Sequence, residues 1–412
     1  QNMHLTGNSM PRIRVRALPD PNMVFLSILF AYDYDHIQYE RNFNLKYNWT
    51  VDNILSYKNK FGKHAINATF VYGVEKRQYE MTKAGATNFS NDILGYNKLD
   101  AGQADLQTAK SGAWTESSLY TMLRAIYTFN DKYIVTGTVR RDGFSGFGKN
   151  HKFGVFPSAA LAWRISEEDF FPKNTPISNL KFRASWGRLG SESALGYYYA
   201  PTMTSSNTQG MSYLQGGNPW SGMSNLYLVN DDLRWETTDT KNIGFDFGLF
   251  NNKLNGSINY YYNTTEDLLI EKVMAPSAGI YNPTVNVGKM VNKGFELELN
   301  YGDNVNGFEY NVGLNLSTIK NEMLKADPNQ ILYGSAWKGD GHAVTQTLKG
   351  YPVAGFWLYQ ADGLFQSDAE AAAYVNSKGE RLQPNAYAGD VRFVDTNGDG
   401  SIDSSDKVYS GS

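Results

Sequence analysis

A run of acidic and amide residues, "DTNGDGSIDSSD" from Asp395 to Asp406, has the ligand spacing of a calcium-binding loop. Oxygen-bearing side chains stand at the alternating positions that supply calcium ligands, and Gly400 stands where the chain must turn sharply. Four carboxylates in one loop repel each other unless a cation joins them. The spacing predicts one bound Ca²⁺, with these ligands: Asp395, Asn397, Asp399, Ser401 through its backbone carbonyl, Asp403 and Asp406.

The segments around this acidic loop (residues 395–406) favour a structural ion over a signalling switch. The preceding "VRFV" is typical of a strand, so the helix pair of a calcium switch is missing. The nearest predicted helix runs from Ser367 to Val375, with Ser367 as its cap and Glu370 in the first turn. Asp406 is shorter than the usual glutamate, which predicts weaker binding. A metal-free Asp/Asn/Gly turn is the alternative.

Other residue types that perform catalysis are present without the spacing that catalysis needs. The chain has five histidines but no H-E-x-x-H motif, and it has no cysteine. "GFSGFG" at 143–148 differs from a nucleophile elbow because its last glycine is displaced. The sequence therefore predicts a protein that is not an enzyme.

Aromatic residues in polar connections are the candidates for ligand binding. Aromatic faces stack on the C–H faces of sugars, while neighbouring amides bond hydroxyl groups. Packing of the same side chains against neighbouring loops or a partner protein is the alternative. The candidate ligand-binding residues are Tyr198, Tyr213, Trp220, Trp337 and Trp357.

Composition excludes several classes of protein. The chain has 412 residues and a net charge of −3, and no basic run indicates that it binds nucleic acid. The longest apolar run, Met23 to Tyr32, is too short for a membrane helix. A disulfide framework is excluded because cysteine is absent.

Apolar and polar residues alternate in many segments, which predicts β-strands. In "FELELNYG", Phe295, Leu297, Leu299 and Tyr301 share one face, whereas Glu296, Glu298 and Asn300 share the other. About ten such strands are predicted, most of them longer than in soluble sheets. Their approximate ranges are 45–58, 64–75, 118–129, 133–142, 155–165, 180–187, 243–249, 254–263, 295–302 and 308–318.

The connections between these strands alternate between short and long. This layout is typical of an outer-membrane β-barrel with tight periplasmic turns and long extracellular loops. A large soluble β protein gives the same alternation, so strand length and loop asymmetry decide between them. The predicted fold is all-β, a segment of a large antiparallel transmembrane β-barrel. Residues 41–412 form it, residues 1–40 are unassigned, and the extracellular loops lie near 76–117, 191–238, 273–293 and 321–412.

Several motifs resemble the SusC/RagA family of TonB-dependent outer-membrane transporters. They are "RRDG" at 140–143, "GVFPS" at 154–158, "WRISEE" at 163–168, "NIGFDFG" at 242–248, "NKGFELEL" at 292–299 and "GDVRFVDTNGDG" at 389–400, in family order. The N-terminal plug domain, the segment that TonB grips and the C-terminal strands of that family are not recognisable. The chain therefore resembles the middle and later part of such a transporter.

The resemblance implies TonB-dependent import of large nutrients across the bacterial outer membrane, most often oligosaccharides and sometimes peptides. It also implies a SusD-like lipoprotein partner, TonB acting through the N-terminal part, and contact with the lipid bilayer. The alternative is a soluble or surface-anchored β-rich binding or adhesion protein with a calcium loop. The transporter interpretation predicts a protein that detergent extracts from the outer membrane, whereas the alternative predicts a soluble monomer.

Overall fold

Antiparallel β-strands dominate the computed structural model of the chain. The structure describes residues 12–15, 23–33, 36–90, 93, 97–172, 174–192, 203–206, 212–225, 230–275, 277, 282–327, 331–334 and 343–412. The chain divides into two compact units, the first 1–127, 136–157 and 194–197, and the second 128–135, 158–193 and 198–412. Among the described residues, no helix has the length and apolar character needed to cross a membrane.

The first unit consists of long strands that pair in chain order. Neighbours from β1 to β4 are antiparallel. The strands that lie wholly or mostly in this unit are β1 (Arg12–Val15), β2 (Met23–Asp33), β3 (His36–Phe61), β4 (His64–Thr87), β5 (Thr108–Phe129) and β6 (Tyr133–Phe144). Strand β7 (Phe153–Arg164) begins in the first unit and ends in the second.

The second unit contains the other long strands. Strands β8 (Ile177–Ser191), β12 (Glu236–Leu249), β13 (Leu254–Glu271) and β14 (Thr284–Val305) pair in that order, and β14 also pairs with β15 (Phe308–Ser317) and β16 (Lys320–Lys325). A small sheet of β9 (Met203–Ser206), β10 (Ser212–Gln215) and β11 (Asn218–Asn225) lies in the connection between β8 and β12.

The remainder of the second unit is built from short elements. One sheet contains β17 (Leu332–Tyr333), β18 (Thr345–Thr347), β19 (Gly355–Tyr359) and β22 (Lys407–Gly411), and a hairpin contains β20 (Ala361–Leu364) and β21 (Val391–Phe393). Helix α1 (Asp368–Ala373) is capped by Ser367, whose hydroxyl accepts the N–H of Glu370 at 3.2 Å. The predicted helix and its cap at Ser367 are therefore confirmed, but the helix ends at Ala373, before the predicted end at Val375.

The long strands of the second unit have one apolar face and one polar face. Leu297 lies opposite Ile258 on β13 and opposite Leu316 on β15, and equivalent rows continue this apolar face. Glu298 lies opposite Ser257 and Asn315 on the polar face. Since directly opposite residues share a face, the alternation seen in single strands continues across the sheet.

The polar face also contains a cross-strand ion cluster. Arg183 on β8 donates to Asp246 of β12 at 2.5 and 2.9 Å and to Asn259 of β13 at 2.9 Å. Lys181 lies 2.6 Å from the same carboxylate. These bonds link three strands on the face that also carries Glu298.

The ten predicted strands are confirmed, but several are longer than their alternating cores. Strand β4 continues to Thr87 and β5 begins at Thr108, so the connection predicted at 76–117 shrinks to 88–107. Strand β14 begins at Thr284, which likewise shortens the connection predicted at 273–293 to 272–283. Backbone pairing continues there, although lysine and glycine interrupt the apolar rows of side chains, as at Lys83 and Gly85 on β4 and at Lys289 and Gly288 on β14. The regions predicted as loops at 191–238 and 321–412 contain the short strands, and β1 and β2 lie within residues 1–40.

A close backbone approach on β14 requires a glycine. Thr318 lies between β15 and β16, and its N–H donates to the carbonyl of Phe295 at 2.9 Å. A Cβ at Gly294 would lie only 1.8 Å from the Thr318 carbonyl oxygen.

We expect Gly294→Ala to lower the free energy of unfolding by on the order of 1 kcal/mol, because the backbone at Thr318 must shift. Urea unfolding in lipid vesicles measures this, and Gly302→Ala is the control, since its nearest contact would be an ordinary 3.6 Å. Equal stability of the two variants would contradict the prediction.

Candidate functional site

The acidic loop is held in shape by its own side chains. Asp395 accepts the backbone N–H of Gly398 at 2.7 Å and that of Gly400 at 2.8 Å, one on each carboxylate oxygen. Gly398 and Gly400 have φ of 73° and 88°, in the region that favours glycine. The predicted turn at Gly400 is therefore present.

Asp406 closes the loop from a fully buried position. Its side chain has 0% exposure, and its oxygens accept the N–H groups of Thr396 at 2.8 Å, Asn397 at 3.4 Å and Asp403 at 2.9 Å. Burial opposes ionisation of this carboxyl, but the backbone N–H donors outweigh it and hold the pKa of Asp406 below its usual range. The short aspartate side chain, in place of the usual glutamate, bonds to backbone N–H groups on both sides of the loop.

The other predicted ligands lie at the exposed side of the loop. Asp399 accepts the N–H of Ser401 at 2.9 Å and an amide N–H of Asn397 at 3.0 Å. Asp403 caps the 3-10 turn Ser404–Asp406. Hydrogen bonds from the hydroxyl and the backbone N–H of Ser405 lower the pKa of Asp403.

The oxygen set has the composition that calcium prefers, but its side chains are not gathered around one point. In the described part of the chain, no group of three or more His, Cys, Asp or Glu side chains is placed to hold a metal ion. The two Asp395 oxygens each accept one N–H and retain a second lone pair, whereas Oδ1 of Asp403 and Oδ1 of Asp406 each accept at least two hydrogen bonds. A cation would therefore need the exposed side chains of Asn397, Asp399 and Asp403 to move inward.

The acidic loop is attached to the packed elements before it. The amide of Asn376 donates to the carbonyl of Gly400 at 3.0 Å. Arg392 on β21 bonds Asp362 of β20 and Glu370 of α1, each at 2.6 Å. Helix, hairpin and acidic loop thus form one hydrogen-bonded assembly.

Among the predicted aromatic residues, Trp357 has the best-defined surroundings. Its ring lies 4.9 Å from that of Tyr351 and 6.0 Å from that of Tyr409, centroid to centroid. Its indole N–H is buried and has no hydrogen-bond partner among the described residues. These ring contacts agree with the alternative in which the aromatic residues pack against neighbouring segments.

Trp220 and Tyr213, the other candidates within the described residues, do not join Trp357. Trp220 lies on β11, paired in register with Tyr213 of β10, and its side chain is 53% exposed. That sheet is separate from the one that carries Trp357. Tyr198 and Trp337 lie outside the described residues.

Sequence reasoning did not identify the residues that join Trp357. A shallow pocket on the same sheet is lined by Val344, Trp357, Leu358, Tyr359 and Lys407. The Lys407 ammonium lies 5.4 Å from the centre of the Tyr359 ring. Burial, and then the carboxylates of Asp403 and Asp406, raise the pKa of Tyr359, so this pocket adjoins the acidic loop. The alternation in "GFWLY" and "KVYSG" was the available signal, and it indicates two strands. It does not indicate that the two strands pair, because the pairing of β19 with β22 joins residues about fifty positions apart.

Comparison with known proteins identifies the relatives of this chain. The family model described as TonB dependent receptor-like, beta-barrel, matches residues 15–406. TonB-dependent receptor P3 of Formosa agariphila is 31% identical over 371 residues, which cover 88% of this chain and 36% of that protein. TonB-dependent receptor SusC of Bacteroides thetaiotaomicron is 31% identical over 302 residues, which cover 69% of this chain and 27% of SusC.

A solved structure shares the fold. The RagAB peptide importer in its closed-closed state matches 94% of this chain and 43% of the compared chain, with a TM-score of 0.70 and 22% identity. The chain spans about a third of the length of the curated relatives that it matches.

Proposed function

Because this chain belongs to the TonB dependent receptor-like β-barrel family, we propose that the protein carrying it imports large nutrients across the outer membrane, driven through TonB. The family consists of receptors and transporters of the bacterial outer membrane and not of enzymes. Family membership removes the alternative of a soluble adhesion protein. The observation that carries the proposal is the two-faced sheet, because an apolar face suits lipid and a polar face suits an aqueous lumen.

We propose oligosaccharides as the substrate class, with peptides as the competing class. The similarity to SusC, and exposed aromatic side chains such as Trp220, support this choice. RagAB, which shares the fold, is a peptide importer. A SusD-like lipoprotein is the proposed partner, since SusC and RagA are the relatives that this chain resembles.

Uptake by living cells tests this function. We expect deletion of the gene to abolish uptake of at least one fluorescent oligosaccharide from a panel, and a plasmid copy to restore it only when TonB is active. A matched panel of labelled peptides tests the competing class. Uptake that survives loss of TonB would overturn the mechanism, whereas uptake of peptides alone would overturn only the substrate class.

We also propose that the acidic loop binds one structural calcium ion. The donor types, their spacing and the turn at Gly400 support this. Calorimetric titration of the whole protein is expected to give heat of calcium binding below millimolar ion, and Asp399→Ala should abolish it. Asp105→Ala, an exposed carboxylate in the other unit, is the matched control. Absence of calcium-dependent heat in the unmodified protein would make the motif a metal-free turn.

A further inference from the structure

A row of lysine and aromatic residues crosses the second unit at one edge of its apolar face. Lys241 on β12 lies opposite Trp186 on β8 and Tyr262 on β13. Tyr262 in turn lies opposite Lys293 on β14, which lies opposite Lys320 on β16. We call these five residues, from five neighbouring strands, the lysine row.

The lysine row directly follows the apolar band along the strands. On β14 the apolar face runs from Tyr301 to Phe295, and Lys293 is the next residue on that face. The same order holds on β12, where Lys241 follows Ile243. Six residues of strand span roughly 20 Å, close to the height of the lipid-facing band of a barrel. The lysine row therefore lies where hydrocarbon gives way to headgroups, at the end that has the long connections.

The three lysines of the row are not neutralised by ion pairs. Across the described residues, the structure shows no salt bridge from Lys241, Lys293 or Lys320. Lys293 and Lys320 are direct cross-strand neighbours, and two like charges in that arrangement repel each other. An anion from outside the chain would remove this repulsion.

Nearby carboxylates are mostly occupied by other cations. Asp239 receives two hydrogen bonds from Arg188, at 2.9 and 2.8 Å. Glu266 lies 2.6 Å from Lys289. Among the residues that the structure describes, Glu322, which lies opposite Val291, is the remaining carboxylate close to the row on this face. Lys325 lies opposite Lys289, so six cations face three carboxylates, which leaves this surface positive.

We propose that the lysine row binds the phosphate groups of an outer-leaflet glycolipid. Lysine ammonium groups beside a membrane attract anionic headgroups, and their apolar stems can lie along the band below. Trp186 and Tyr262 have the amphipathic rings that favour this depth. A lipid is favoured over a protein partner because the row is continuous with the face that contacts lipid. This inference rests on the membrane location of the family and is independent of the imported substrate.

Binding of bisphosphorylated lipid A to the whole protein in detergent tests the proposal, with native mass spectrometry as the readout. We expect the triple variant Lys241→Gln, Lys293→Gln and Lys320→Gln to weaken binding by on the order of 10- to 100-fold. The unmodified protein should bind dephosphorylated lipid A as weakly as the triple variant binds the phosphorylated form.

A second triple variant controls for the loss of charge alone. Lys149→Gln, Lys349→Gln and Lys378→Gln removes three exposed lysines outside the row and should leave lipid A binding unchanged. Equal binding by both triple variants and the unmodified protein would overturn the proposal. Equal binding of phosphorylated and dephosphorylated lipid would also overturn it, as would inorganic phosphate binding as tightly as lipid A. If the first triple variant fails to insert in the membrane, the single variant Lys293→Gln replaces it. We expect that variant to lose less lipid A binding.

Discussion

Leu297→Arg is expected to lower the free energy of unfolding of the whole protein by roughly 2–4 kcal/mol. Leu297 lies in the centre of the apolar band, between Ile258 and Leu316 on the neighbouring strands. A guanidinium there must either lose its water or pull the headgroups inward. Urea unfolding in lipid vesicles of defined thickness measures the loss.

Glu298→Gln is the matched control on the adjacent residue. Glu298 lies on the polar face, where its carboxylate accepts an amide N–H of Asn300 at 3.2 Å. The glutamine oxygen can accept the same bond, so we expect a change within about 0.5 kcal/mol. A larger loss from Glu298→Gln than from Leu297→Arg would mean that the polar face, and not the apolar one, contacts lipid.

Asp406→Ala is expected to destabilise the acidic loop by at least about 3 kcal/mol. The N–H groups of Thr396, Asn397 and Asp403 would each lose a buried acceptor. The effect should be local, because the long strands make no use of this carboxylate. Hydrogen exchange is the measurement, and faster exchange should be confined to residues near 395–407. Unchanged exchange there would contradict the burial of Asp406.

Acid should reproduce this loosening without a substitution. The pKa of Asp406 is lowered in the folded state, so its contribution is complete above the ordinary aspartate pKa of about 4. The contribution is lost as pH falls further, through the folded-state value. Protection of the amides near 395–407, relative to an unfolded chain at the same pH, should therefore fall below about pH 4 in the unmodified protein. It should fall less in Asp406→Asn, in which Asp403, whose pKa is also lowered, still titrates.

Local pattern in the sequence was sufficient for the parts of the fold that repeat over a few residues. The alternation in "FELELNYG" places Leu297 and Glu298 on opposite faces whatever strand lies beside them. Ser367 and Glu370 determine the start of helix α1, because a cap and its partner are within one turn. The ligand spacing and glycine of the acidic loop likewise depend on neighbours only.

Tertiary structure decided everything that depends on which residues become neighbours across strands. Strand β4 extends to Thr87 because β3 offers backbone partners, not because its side chains alternate. Asp406 could be identified as a candidate ligand, but its burial follows from the folding of Thr396 and Asp403 around it. Lys293 and Lys320 belong to separate segments, and only the register of β14 with β16 places their charges together. Periodicity determines which face a side chain occupies, whereas register and burial arise from distant contacts that no short stretch of sequence contains.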